Sequence, residues 1–146
     1  MNYPILNQKL FEIDFLSNQI GELIIALNFH KKIDEKEFIE NAKALKQDFS
    51  NEGLSANFIG RAKKQSILVD TDTILETIHT KDKDFYLYQV EGNFSQPNIY
   101  ACQNMVQFAR DCCKDCSNTD LIELYCGSGT FTVCLADLFR KVFSTE

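Results

Sequence analysis

No stretch of this sequence approaches the apolar length that a membrane-spanning helix requires. Its start, MNYPILNQKLFEIDF, has no basic lead, no continuous apolar middle and no small-residue cleavage site, which argues against a secretory signal. No internal repeat or low-complexity segment is present, and no cysteine precedes Cys102. Positive charge is in deficit, with 15 basic against 21 acidic residues and a formal net charge of −6. A nucleic-acid-binding domain ordinarily shows a basic footprint, so the total by itself argues against one. The chain is expected to be soluble and cytoplasmic, with no membrane partner.

What is present is globular in composition. The 146 residues are 45% hydrophobic and 25% charged, enough for a real core. The six cysteines (102, 112, 113, 116, 126 and 134) fall in segments that read as helix and strand, and reduced thiols are expected. Within CCKDC, Cys113 and Cys116 have the C-x-x-C spacing of a metal or redox site. A structural zinc needs four ligands, however, and no second pair or histidine lies near, so no metal is expected. The basic deficit also hides two local clusters, HKK at His30 to Lys32 and GRAKK at Gly60 to Lys64.

The first part of the chain reads as an α+β unit. LFEIDFLSN alternates with Phe11, Ile13 and Phe15 on one face. ELIIALNFHKK continues the alternation, with Leu23, Ile25, Leu27 and Phe29 on one side and Ala26, Asn28 and His30 on the other. The two runs should form an antiparallel hairpin. A helix follows, with Asp34 as N-cap, Glu37 completing a capping box, an apolar stripe of Phe38, Ala42, Leu45 and Phe49, and Gly53 as its stop. SANFIG and QSILVD are short strands joined by RAKK, and a charged loop, HTKDKD, leads to FYLYQVEGNFSQPN. The expected architecture is a sheet with a helix on one face.

The pattern changes near residues 92–96. PNIYACQNMVQFARDCCKD begins with a proline suited to a first helical turn and carries Val106, Ala109 and Cys113 on a stripe flanked by Cys102 and Met105. Beyond it, LIEL reads as a buried parallel strand with Glu123 near its carboxyl end. Gly127 and Gly129 permit a sharp turn and close approach of a ligand. The third glycine of a dinucleotide motif is replaced by Thr132, which weakens a pyrophosphate reading, and Glu146 follows at the distance where an acid meets ribose hydroxyls. Strand, G-x-G turn, helix, strand and glutamate suit S-adenosylmethionine. Many doubly wound domains share the pattern, and a tight turn with an incidental surface glutamate is the plain alternative.

Taken together, LFEIDFLSNQ, HKK, NFIGRAKK, YQVEGNFSQPN, LIELYCGSGTFT and STE, in this order, resemble the tRNA (uracil-5-)-methyltransferase family over nearly the whole chain. The resemblance implies a class I, Rossmann-like methyltransferase fold that binds S-adenosylmethionine and methylates the T-loop uridine of tRNA. Residues 1–95 would be the α+β central, RNA-docking domain, and residues 96–146 the incomplete N-terminal part of the Rossmann-like domain. The cofactor contacts it implies fall on Gln96, Tyr125, Thr130 and Glu146, beside Gly127 and Gly129. Gln96 sits where a helix should begin, although Gln is a poor N-cap, so another contact should hold it there. At Thr130 the family pattern has asparagine.

On the RNA side Phe11 resembles the aromatic beside the extruded uracil and His30 a nearby RNA-contacting histidine, with Lys31, Lys32, Arg61, Lys63 and Lys64 as candidates for phosphates. Read alone, Phe11 is equally a core residue and His30 a surface group. The family activates uracil with a Cys thiolate and later uses a Glu base, and neither residue has a counterpart here. The resemblance thus implies the middle of a longer enzyme, inactive by itself, whose exposed strands (Val142 and Phe143 among them) would promote self-association. A 23S rRNA uridine methyltransferase and a non-catalytic RNA- or nucleotide-binding module are the alternatives.

Overall fold

A computed structural model describes residues 3, 6 and 8–146. The fold is mixed α/β. Contacts divide it at Ile74/Leu75, ahead of the change in sequence pattern near residues 92–96.

The first unit is built on β1 (Leu10–Ser17), β2 (Glu22–Phe29), α1 (Glu35–Asn51), β3 (Ser55–Ala62) and β4 (Gln65–Leu68). The strands lie in the order β1-β2-β3-β4. β1 and β2 form the expected antiparallel hairpin, β3 and β4 a second one, and α1 carries the chain from β2 to the parallel β3. Asp34 caps α1 by accepting the Glu37 N–H at 2.9 Å, which satisfies one of the helix's orphan donors. At the other end Gly53 takes φ 78°, the left-handed conformation that ends many helices.

Alternation along β2 decides what is buried. Ile25, Leu27 and Phe29 pack with Phe38 and Ala42 of α1 and with Ala56 and Phe58 of β3. Ile24 and Ala26 pack on the other face with Ile59 and Ile74. Phe38 and Phe58 are among the fully buried side chains, each contributing about 2–3 kcal/mol of burial. The same period does not hold through β1. Ile13 pairs with Leu27 and Phe15 with Ile25, but the register shifts between Leu10 and Glu12, leaving Phe11 without a strand partner. Such irregularities re-aim a side chain, so Phe11 does not continue the Ile13/Phe15 row.

The second unit holds most of β5 (Thr73–His79), then β6 (Asp84–Val90), α2 (Ile99–Cys112), β7 (Asp120–Leu124), α3 (Thr130–Leu135), a 3-10 turn (Ala136–Leu138) and β8 (Lys141–Thr145). β5 and β6 form one two-stranded sheet, β7 and β8 another. The core joins Ile78, Phe85 and Leu87 of the first sheet to Cys102 and Val106 of α2 and Cys134 of α3. Two expectations for α2 are corrected. Its N-cap is Asn98, which accepts the Ala101 N–H at 3.0 Å, so Pro97 stands before the cap rather than in the first turn. Its buried stripe is Cys102, Val106 and Arg110, while Met105 is exposed.

β7 and β8 are parallel, with Ile122 beside Phe143. Ile122, Leu124 and Phe143 are exposed, at 70%, 64% and 55%, so one apolar face of this strand pair is open. Among the described residues no helix is long and apolar enough to cross a membrane.

Candidate functional site

The glycine turn starts where β7 ends. Tyr125 has φ 57° and is 89% exposed, a backbone state that costs a non-glycine residue about 1–2 kcal/mol. The Cys126 N–H donates to the Thr145 carbonyl at 3.0 Å, and the Gly129 N–H returns to the Cys126 carbonyl at 2.9 Å. Gly127 and Gly129 both sit at positive φ, 55° and 75°. A Cβ at Gly127 would meet nothing within 4 Å, and at Gly129 only Thr132 at 3.9 Å. Backbone conformation therefore sets the glycine requirement, and the space over the turn is open to a ligand.

Three side-chain hydrogen bonds fix the turn. Glu146, at the end of β8, accepts the Gly127 N–H at 2.6 Å. The Ser128 hydroxyl donates to the Phe94 carbonyl at 2.7 Å, which ties the turn to the segment carrying half-buried Gln96. Gln96 is two residues ahead of the N-cap. Thr132, in the place of a third glycine, donates its hydroxyl to Glu123 of β7. Thr130 is the first residue of α3.

The basic clusters meet in the first unit. Gln65 makes them meet: its Oε1 accepts the Ile33 N–H at 3.1 Å and its Nε2 donates to the Ile33 carbonyl at 2.9 Å. This amide clamp binds the segment after β2 to the start of β4. His30, Lys31, Lys32, Lys63 and Lys64 thereby line one open concavity of about 560 Å³. Phe11, 54% exposed, stacks on His30 with ring centroids 4.2 Å apart and planes at 21°. Arg61 does not join this lining. It is half-buried in β3, opposite Asn28 and Ser66.

Sequence reasoning passed over Lys9. Its carbonyl accepts the His30 N–H at 3.1 Å, and with Lys31 and Lys32 it lines an adjoining cleft. The Lys31 ammonium, through a hydrogen bond and its charge, lowers the Lys9 pKa from its ordinary value. Asp34 and Glu37 line the same cleft. Gln65 and Ser128 were also missed, because a single polar residue with a backbone partner distant in sequence leaves no periodic trace.

Arg110 was missed for a different reason: it is a charge on a buried stripe. Only 3% exposed, it donates to Asp82, to Asp137 at 2.8 Å and to the Cys134 carbonyl, and it lies 4.9 Å from the Phe85 ring centroid. The Arg110 hydrogen bonds hold the Asp137 carboxyl down from 3.8 to about 2, against the opposing effect of burial.

The fold and these two regions describe a mixed α/β chain with a glycine turn between parallel strands and a lysine-lined concavity bearing an exposed aromatic pair. A family model described as tRNA (Uracil-5-)-methyltransferase matches residues 1–146, and the chain belongs to that family. A protein of Vibrio parahaemolyticus named tRNA/tmRNA (uracil-C(5))-methyltransferase is 45% identical over 141 residues, covering 97% of this chain and 38% of that protein. One of the same name from Haemophilus ducreyi is 43% identical over 143 residues, covering 98% and 38%. The chain thus spans about 38% of the length of the curated relatives it matches.

Proposed function

We propose that this chain is part of a cytoplasmic, S-adenosylmethionine-dependent enzyme that methylates carbon 5 of the T-loop uridine in tRNA. The observation that carries this reading is the exposed Phe11 ring stacked on His30 beside the lysine-lined concavity. A base taken out of its stack needs an aromatic face, and the neighbouring backbone needs cations. In this reading the RNA-docking domain is residues 1–95, and residues 96–146 begin a Rossmann-like domain. Phe11 and His30 receive the base, while Lys31, Lys32, Lys63 and Lys64, with Arg61 further along β3, neutralise phosphates.

The cofactor supplies the methyl group as a sulfonium. Gln96, Tyr125, Gly127, Gly129, Thr130 and Glu146 would hold it. Two facts support the fit: the open space over the two glycines, and a carboxylate at the strand end that uses one oxygen on the Gly127 N–H. Its other oxygen can accept a ribose hydroxyl. The chain carries no catalytic residue in this reading, so by itself it transfers no methyl group.

The test is binding of a labelled T-arm hairpin followed by fluorescence anisotropy. Phe11→Ala should weaken binding by about 10-fold, the value of losing one base–aromatic stack of ~1–3 kcal/mol. Lys63→Ala should weaken binding of any sequence and lower the salt slope by about one. Equal loss at Phe11 for a T-arm and an unrelated hairpin would remove the base-recognition role. For the cofactor end, calorimetric titration with S-adenosylhomocysteine should show saturable binding that Glu146→Ala abolishes. Binding unaffected by that change would overturn the role of Glu146.

A further inference from the structure

The turn between α2 and β7 has a chemistry that the methyl-transfer reading does not use. Cys113 is the C-cap of α2, its N–H shared between the Ala109 and Arg110 carbonyls. The Cys116 N–H donates back to the Cys113 carbonyl at 3.2 Å, closing a four-residue turn. Such a turn holds its end Cα atoms within about 7 Å, and a disulfide spans Cα separations of roughly 4.4–6.8 Å. The far end is fixed as well. The Cys116 carbonyl accepts the Thr119 N–H at 2.9 Å and its hydroxyl at 2.8 Å, and the Thr119 carbonyl accepts the Arg140 N–H at 2.9 Å.

The Cys113 and Cys116 side chains are within hydrogen-bonding reach of each other, and neither is buried. Cys113 and Cys116 are half-buried and Cys112 is exposed, whereas Cys102 and Cys134 are buried. We propose that the Cys113–Cys116 turn is a dithiol modification site that closes to an intramolecular disulfide by exchange with a low-molecular-weight disulfide of the glutathione class. One cysteine thiolate attacks a sulfur of glutathione disulfide, whose S–S bond breaks to release one glutathione thiolate. The other cysteine, as its thiolate, attacks the protein sulfur of the mixed disulfide, forms the Cys113–Cys116 bond and releases the second glutathione. Two protein thiols are oxidised, one glutathione disulfide is reduced to two thiols, and the protons pass to glutathione.

Position on the helix sets the balance of this exchange. Burial first, then the charge and hydrogen bond of Cys116 and the charge of Cys112, push the Cys113 thiol up. The negative end of the α2 dipole acts in the same direction. A thiolate so disfavoured is a poor leaving group, so the closed disulfide resists reopening by thiols. This is the reverse of a C-x-x-C pair at a helix N-terminus, where the thiolate is stabilised.

The test incubates the native 146-residue chain with excess glutathione disulfide, quenches with acid, blocks free thiols with iodoacetamide and digests with trypsin. Cleavage after Lys114 separates the two cysteines, so only a disulfide keeps their peptides together. The expected product is the linked pair, with Cys102 and Cys134 blocked only after unfolding. Cys113→Ser and Cys116→Ser, checked for unchanged circular dichroism, should each lose the link and accumulate a glutathione adduct on the remaining partner. Cys112→Ser should keep it. A wild-type chain that stops at glutathione adducts, or a link that needs Cys112 in place of Cys113, overturns the proposal.

Discussion

Replacing Gly60 by alanine adds one carbon atom where α1 meets the sheet. The new Cβ would stand 2.7 Å from Phe38 Cζ, 2.9 Å from Phe38 Cε1 and 2.8 Å from Ile33 Cδ1. The Ile33 methyl can rotate aside. The Phe38 ring has little freedom to do so, since it is wholly buried and meets Phe29 edge-on at 6.2 Å between centroids. Gly60 is not in the left-handed region, so alanine fits the backbone and gains about 0.4–1 kcal/mol from a less flexible unfolded chain. Overpacking of this kind costs about 1–3 kcal/mol. Sterics therefore win, for a net loss of about 1–2 kcal/mol. With a urea m-value of roughly 1–3 kcal/mol/M, the unfolding midpoint followed by circular dichroism should fall by about 0.5–1 M. Phe38→Leu shortens the clashing ring, so the same Gly60→Ala change should cost less in that background. An unchanged or raised midpoint, or an equal cost in both backgrounds, would refute the reasoning.

Four further outcomes follow from the contacts above. Gln65→Leu should remove both bonds to Ile33 at about 1–2 kcal/mol and speed hydrogen exchange of the Ile33 amide about tenfold, without unfolding the sheet. Arg110→Met should destabilise the second unit by about 1–3 kcal/mol, less than for a wholly buried pair because Asp82 and Asp137 are 54% and 37% exposed. Asp137 has a folded pKa of about 2 against an ordinary 3.8, so its stabilising effect is complete above pH 4 and fades as pH falls toward 2. Asp137→Asn should flatten that part of an acid-unfolding curve. Finally, the open Ile122/Leu124/Phe143 face should make the chain self-associate at micromolar concentration, and Ile122→Lys with Phe143→Lys should return it to a monomer in sedimentation. A monomeric wild type would refute this.

Where apolar period and cap agreed, the sequence was sufficient. Asp34 and the Phe38/Ala42 stripe located α1, and the alternation of Leu23 to Phe29 placed both faces of β2. β5 escaped notice because Glu76, an inward position only 3% exposed, interrupts the apolar rhythm between Ile74 and Ile78. Arg110 hid in α2 for the same reason, since a paired charge on a buried face reads as a solvent position. Phe11 left its row at a register shift that depends on the partner strand. The glycine turn was legible because positive φ demands particular residues. The joining of His30–Lys32 to Lys63–Lys64 was not, because it rests on a side-chain amide meeting a backbone 32 residues away.

The parallel pairing of β2 with β3 has a consequence for how the first unit comes together. β1–β2 and β3–β4 are local ribbons, each able to close in about 1–10 μs. They are joined only through the parallel β2–β3 pairing, whose crossover is α1, 17 residues long, with Phe38 seated over Gly60. That single long-range closure carries the loop entropy of the whole unit. Crowding at Gly60 would therefore act on the refolding rate as well as on the final state. Until the helix docks, the strand rich in Ile24, Ile25 and Leu27 stands open along the edge that β3 will cover, and a nascent chain is most exposed to wrong pairings during that interval.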